Sequence, residues 1–154
     1  MKIFKVCLSI LLLSLGIALI AQVKDSNYFP DLIGTWLSEN KKQKVRVYYD
    51  TARKMYYGRI EWMYEDDASQ GRQLLDVNNP NPKLRNRRVT GINLLNSFKY
   101  EGNSKFRGYI YDPISGKEYR CLMTLRPDRK TAEIRGYIFV PWIGRTEIAT
   151  KVSN

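Results

Sequence analysis

Apolar and polar residues alternate with a period of two through most of this chain. Val45, Val47 and Tyr49 are interleaved with Arg46 and Tyr48, and Tyr56, Gly58, Ile60 and Trp62 with Met55, Tyr57, Arg59 and Glu61. Phe106, Gly108 and Ile110 share one parity; so do Tyr119, Cys121, Met123 and Leu125, and again Ala132, Ile134, Gly136 and Ile138. Side chains on a strand point alternately to opposite faces, so this is the pattern of half-buried β-strands. Further runs at 33–38, 91–100 and 145–152 bring the expectation to about eight strands. Short turn sequences at 50–53, 112–116 and 127–130 join neighbouring strands as hairpins. No helical period follows the first 21 residues. Eight antiparallel strands in meander order close comfortably into a barrel, which removes exposed edges. The pattern therefore predicts an all-β, up-and-down antiparallel barrel, with a two-sheet β-sandwich as the alternative. Gly58, Gly108 and Gly136 fall inside strands, where bends and bulges need them.

Two segments break the rhythm. The first is the N-terminus, where Lys2 and Lys5 precede an uncharged apolar run over 6–21. As a helix that run reaches about 24 Å, short of a bilayer's ~30 Å core, so it reads as a cleavable signal peptide over 1–21. Residues 22–154 then form one exported domain, periplasmic or secreted. The second break is 64–90, with Glu65-Asp66-Asp67, Gly71 and Asn78-Asn79-Pro80-Asn81-Pro82. Pro removes a ladder donor and Asn caps turns, so this is a long loop, with one short helical turn at 82–85. Asp76 and Asn79 are expected to fix the loop by hydrogen bonds, ahead of any Ca²⁺ role, and the 65–67 acids to be solvated.

Composition narrows the chemistry. The chain has no histidine, which removes His-dependent triads, proton shuttles and imidazole metal ligands. We expect no cofactor and no resident metal. An enzyme would have to run on carboxylates such as Glu61 and Asp76, and nothing in their spacing selects them. Once the leader is gone only Cys121 remains, so the domain has no internal disulfide, and the parity of this thiol places it in the core. The formal charge is +11, or +9 without Lys2 and Lys5. That suits an anionic ligand or envelope surface, whereas export disfavours nucleic acid.

Four motifs, in order, carry a resemblance. They are Gly58-Arg59-Ile60-Glu61-Trp62; Asp76 with 79–87 (Asn-Pro-Asn-Pro-Lys-Leu-Arg-Asn-Arg); Gly108-Tyr109-Ile110-Tyr111-Asp112-Pro113 with Gly116 and Tyr119; and Arg135-Gly136-Tyr137 with Pro141 and Gly144-Arg145. Over about 33–151 the chain resembles the exported bacterial family known as domain of unknown function 2147. Gly34-Thr35-Trp36 also looks like the Gly-x-Trp of lipocalins, whose Trp packs across the closed end of the barrel near a basic residue of the last strand. The resemblance implies a lipocalin-like barrel and export, and it supplies no established activity. The chain departs from the family's ending at Ala149 and Lys151, where an aromatic and an Arg are usual; Lys151 remains available to cover Trp36.

The leading functional expectation is a monomeric barrel that binds a small amphipathic or anionic molecule. Tyr57, Arg59, Trp62, Tyr111, Arg135, Tyr137 and Trp142 are its candidate contacts, as aromatic walls and anion partners. Gly34, Trp36, Asp76, Asn79 and Lys151 are the structural candidates. The alternatives are an envelope interaction module with a filled barrel, and a His-free carboxylate enzyme.

Overall fold

The computed structural model describes residues 25–67, 69, 71–141 and 144–154. Eight strands form one closed antiparallel barrel in sequence order, and the last pairs with the first. They are β1 (Gly34–Ser38), β2 (Gln43–Asp50), β3 (Met55–Met63), β4 (Asn93–Gly102), β5 (Lys105–Asp112), β6 (Lys117–Leu125), β7 (Thr131–Tyr137) and β8 (Gly144–Ser153). The sandwich alternative is thereby set aside. The leader expected over 1–21 and the candidate Trp142 lie outside the described residues.

One parity of each strand faces inward. Val45 and Val47, Tyr56 and Ile60, Leu95 and Phe98, Phe106, Cys121, Met123 and Leu125, Ala132 and Ala149 are all buried. The charged partners at alternate positions point out. At Gly108 the bare Cα is required, because a Cβ there would lie 2.5 Å from the Phe98 ring.

Bulges reset this parity at several points, two of which matter for the interior. Lys44 pairs with Trp62 but Val45 with Ile60, so Glu61 is an extra residue. Trp62 therefore leaves the face of Ile60 and turns outward, while Met63 takes the inner position. This corrects the simple alternation of 56–62. On β4 the register shifts between Asn96 and Lys99, and Ser97 carries a φ of 55°. A further correction concerns β7: it ends at Tyr137, so Ile138 and Phe139 do not continue its alternation.

The two ends of the barrel differ. At the end where β1 begins, the segment before it folds across the opening through a 3-10 turn at Pro30–Leu32. Phe29 packs edge-on against Phe106 at 5.6 Å and tilted on Tyr100 at 5.0 Å. Tyr56 donates to the Asn27 carbonyl and accepts from the Phe29 N–H. Burial pushes the Tyr56 hydroxyl up to about 12. Cys121 is fully buried and unpaired, and burial raises its thiol to about 12 as well.

The 64–92 connection crosses the outer wall near the opposite end. It contains 3-10 turns at Tyr64–Asp66 and Pro82–Leu84 and a bridge between Leu75 and Arg88. Asn81 caps the second turn by accepting from the Lys83 N–H. Its apolar residues Val89 and Ile92 pack with Ile60 and Tyr111 in a small second core.

Candidate functional site

Above the aromatic floor the barrel is not filled. A cavity of about 690 Å³ opens at the end formed by the β1–β2, β3–β4, β5–β6 and β7–β8 connections. Its wall is apolar, from Val45, Val47, Leu95, Ile110, Met123, Ile134 and Ala149. Polar groups are confined to the mouth, where Ser38, Asn40, Gln43, Arg145 and Glu147 stand. Arg145 and Glu147 hold inward positions on β8 opposite Gly136 and Ile134 and pair at 3.4 Å in solvent. An interior of this size and polarity, with a charged pair at its entrance, fits a molecule with an apolar body and one polar end.

Trp36 lines the cavity and separates it from the filled half. Its indole N–H donates to the Leu32 carbonyl at 2.9 Å, which satisfies the buried donor. Lys151 is its neighbour on β8, and the ammonium lies 5.9 Å from the ring centroid, within cation–π range. The same ammonium donates to the Asp31 carbonyl at 3.0 Å, and burial lowers its pKa. Gly34 is close to this chain: a Cβ there, at a φ of 141°, would lie 2.4 Å from the Ser153 carbonyl oxygen.

Most of the candidate contacts among the described residues sit elsewhere. Tyr57 faces outward and stacks on Tyr48 at 5.9 Å. Arg59 is exposed on the outer wall. Trp62, turned out by the bulge, donates its indole N–H to Asp67 and lies under Lys44. Arg135 holds the Pro141 carbonyl and the Thr146 hydroxyl on the outside of β7 and β8. Tyr137, buried at the end of β7, lines the cavity and accepts from Arg107 at 2.8 Å. Tyr111 meets the mouth at its edge, but its hydroxyl is tied to the loop. Of these candidates the structure places Tyr111 and Tyr137 in the cavity lining and Tyr57, Arg59, Trp62 and Arg135 on the outer wall.

A second hollow of about 710 Å³ lies outside the barrel, against the long loop, and is far more open. Arg59, Arg87, Arg88, Asn93, Asn96 and Glu118 line it. Much of its charge is committed to two buried carboxylates. Asp76, 0% exposed, accepts from Tyr111 at 2.6 Å, Asn79 at 2.7 Å and Arg87 at 3.0 Å. Its carbonyl takes the Asn79 N–H and its own N–H reaches the Arg87 carbonyl, closing the loop on itself.

Asp66 corrects the expectation that the 65–67 acids are solvated: it is 3% exposed. It accepts from the Leu74 and Thr90 N–H groups and from Arg88. Burial alone would raise this carboxyl, but hydrogen bonds from Thr90, Leu74 and Arg88 outweigh it and leave the pKa below the usual carboxylate value. Glu61 accepts from Thr35, so it shares no partner with Asp76, and neither carboxylate lines the barrel cavity.

Comparison with known proteins fits this geometry. A family model described as "Uncharacterized protein conserved in bacteria (DUF2147)" matches residues 34–151. The chain belongs to this family. A solved structure titled "Protein HP1028 from the human pathogen Helicobacter pylori belongs to the lipocalin family" is similar in fold, with a TM-score of 0.67 at 22% identity. The match covers 80% of this chain and 84% of that one. Comparison with curated proteins gives no match. The family member described here is thus a lipocalin-like barrel. The residues that line its interior were missed because charge and aromaticity drew attention to the outer face. One signal for them was present: Gly58, Gly108 and Gly136 share parity with the small and aliphatic residues of their strands, and that parity is the inner one.

Proposed function

We propose that this protein is an exported carrier that takes up one small amphipathic molecule in its barrel. The supporting observation is the half-empty interior: an apolar cavity of about 690 Å³, floored by Trp36 and open at a single end. The apolar part of the ligand sits against Ile110, Met123 and Ile134. Its polar end meets Arg145 and Glu147 at the mouth. With no cation deep in the cavity, an amphipathic ligand suits it better than a compact anion, whose burial without a partner is costly. The fold likeness to a lipocalin-family structure supports small-ligand binding as the class of activity. Export, monomeric state and processing near Gln22 belong to the same reading; osmotic-shock fractionation, sedimentation and an intact mass test them.

Gly136 offers the sharpest test of the site. It lines the cavity, and a Cβ built on it meets only Ile110, at 3.7 Å. Gly136→Trp therefore starts its side chain into the cavity with no clash at its Cβ. Titration with 1-anilinonaphthalene-8-sulfonate should show saturable uptake by the wild type and loss of it in the variant. Equal uptake by both would place the probe outside the barrel and remove the proposal's basis.

A further inference from the structure

Among the described residues, the four most exposed large apolar side chains all lie at the cavity's end of the barrel. Phe139 is 79% exposed, Ile114 73%, Ile138 63% and Val77 57%. They come from three connections: β7–β8, β5–β6 and the long loop. The last two are clamped together, because the Asn78 side chain donates to the Ile114 carbonyl at 2.6 Å. Ile114 and Ile138 also line the mouth, so the exposed apolar surface is continuous with the cavity. Single exposed apolar residues are ordinary, but a cluster gathered at one functional edge marks an interaction surface.

Charge selects the partner. Without the two leader lysines the chain carries a formal +9, and Lys41, Lys83 and Lys117 stand exposed at this end of the barrel, Lys41 on the β1–β2 connection, with the exposed Glu39 and Glu118 beside them. None of these three lysines is in an ion pair among the described residues. Apolar tips flanked by free cations match a bilayer surface rich in acidic headgroups, where the tips enter the acyl boundary and the cations stay with the phosphates.

We propose that the open rim is a membrane-docking surface, specific for bilayers containing acidic lipids, that sets the mouth of the barrel against the membrane. The proposal stands on the rim residues and goes beyond ligand uptake. If uptake is also correct, docking gives an amphipathic molecule a path from bilayer to cavity without crossing water.

The test uses environment-sensitive labels on the processed chain beginning near Gln22, which lacks Cys7 and the apolar leader, with Cys121 too buried to label. An NBD label at Val77→Cys should brighten on vesicles of phosphatidylcholine with phosphatidylglycerol and be quenched by nitroxide lipids. The same label at Lys130→Cys, in the β6–β7 turn at the far end, should do neither. Phosphatidylcholine alone, or high salt, should weaken the response. Phe139→Asp combined with Lys83→Glu, neither of which lines the cavity, should lower rim partitioning about ten-fold or more, because one inserted apolar side chain and one headgroup contact are lost. Uptake of 1-anilinonaphthalene-8-sulfonate, measured on the same variant, should persist; this separates failure of docking from failure of the cavity. A label at 77 that ignores acidic vesicles, or insertion unchanged in the double variant, would overturn the proposal. So would a concentration-dependent dimer abolished by the double variant, which would assign the rim to a second copy of the chain.

Discussion

Asp76 and Asp66 hold the long loop, and they do it with full burial. Removing the Asp76 carboxylate leaves the Tyr111 hydroxyl, the Asn79 amide and the Arg87 guanidinium without their shared acceptor. Asp76→Ala should therefore destabilise by about 3 kcal/mol, near the lower end for breaking a buried pair, since Arg87 is half in solvent. Urea denaturation measures this. Asp66 adds a pH dependence. Its folded pKa is depressed, so its contribution to stability is present above the unfolded value of about 3.9 and is lost as pH falls through the folded value. Melting curves should show wild type well above Asp66→Asn at pH 7, with the gap closing below about pH 4. A constant gap would mean that Asp66 is not ionised in the fold. The sequence marked Asp76 through the Asn-Pro chemistry around it. It could not separate Asp66 from Glu65 and Asp67, because only the return of Leu74, Arg88 and Thr90 to the same point makes one of three acids a buried acceptor.

At the scale of elements, strand number and order were legible because apolar parity and turn residues are both local. The bulges were not, since one inserted residue leaves no mark in composition. Glu61 illustrates the consequence: it moves Trp62 from the expected inner face to the outside and brings Met63 in. The clasp between loop and barrel was equally hidden. Gly116 sits at a φ of 69°, and a Cβ there would lie 1.8 Å from the Asn78 carbonyl oxygen. That close approach lets the β5–β6 turn lie under the loop, with Asn78 bonded to Ile114. Gly116→Ala should push the two apart while the barrel persists. Hydrogen exchange of the 74–89 amides should quicken by ten-fold or more, the scale of losing about 1.4 kcal/mol of local stability, with the β6 and β7 amides unchanged. Uniform acceleration across the barrel would show that loop and barrel unfold as one unit.

At the scale of the molecule, the barrel has a filled half and an empty half. The filled half, from Leu32 and Phe29 through Tyr56, Phe98 and Phe106, supplies the core that makes the fold stable. The empty half begins above Trp36 and opens through a rim that is apolar where it is most exposed. Periodicity and meander spacing indicated a closed eight-stranded fold. They could not indicate how much of its interior the side chains fill, because that volume depends on strand tilt and on which rotamers meet across the barrel. Of the aromatic and Arg residues that looked most like ligand contacts, Tyr111 and Tyr137 reach the cavity lining, whereas the outer wall takes Tyr57, which stacks, Arg135, which holds a turn, and Trp62, which meets Asp67.

Gly136 tests the cavity, because filling a binding cavity and damaging a core have opposite effects on stability. Glycine inside a strand is unfavourable, and the space beside Gly136 is open. Gly136→Trp should keep or raise the melting temperature while removing the binding site. Native mass spectrometry of both proteins, purified gently from their own cell envelope, is the most direct measurement. Ligand uptake by the barrel predicts wild type carrying a bound small molecule at one copy per chain, and Gly136→Trp, fully folded, running at its bare mass. Wild type at its bare mass, or the same adduct retained by Gly136→Trp, would contradict it.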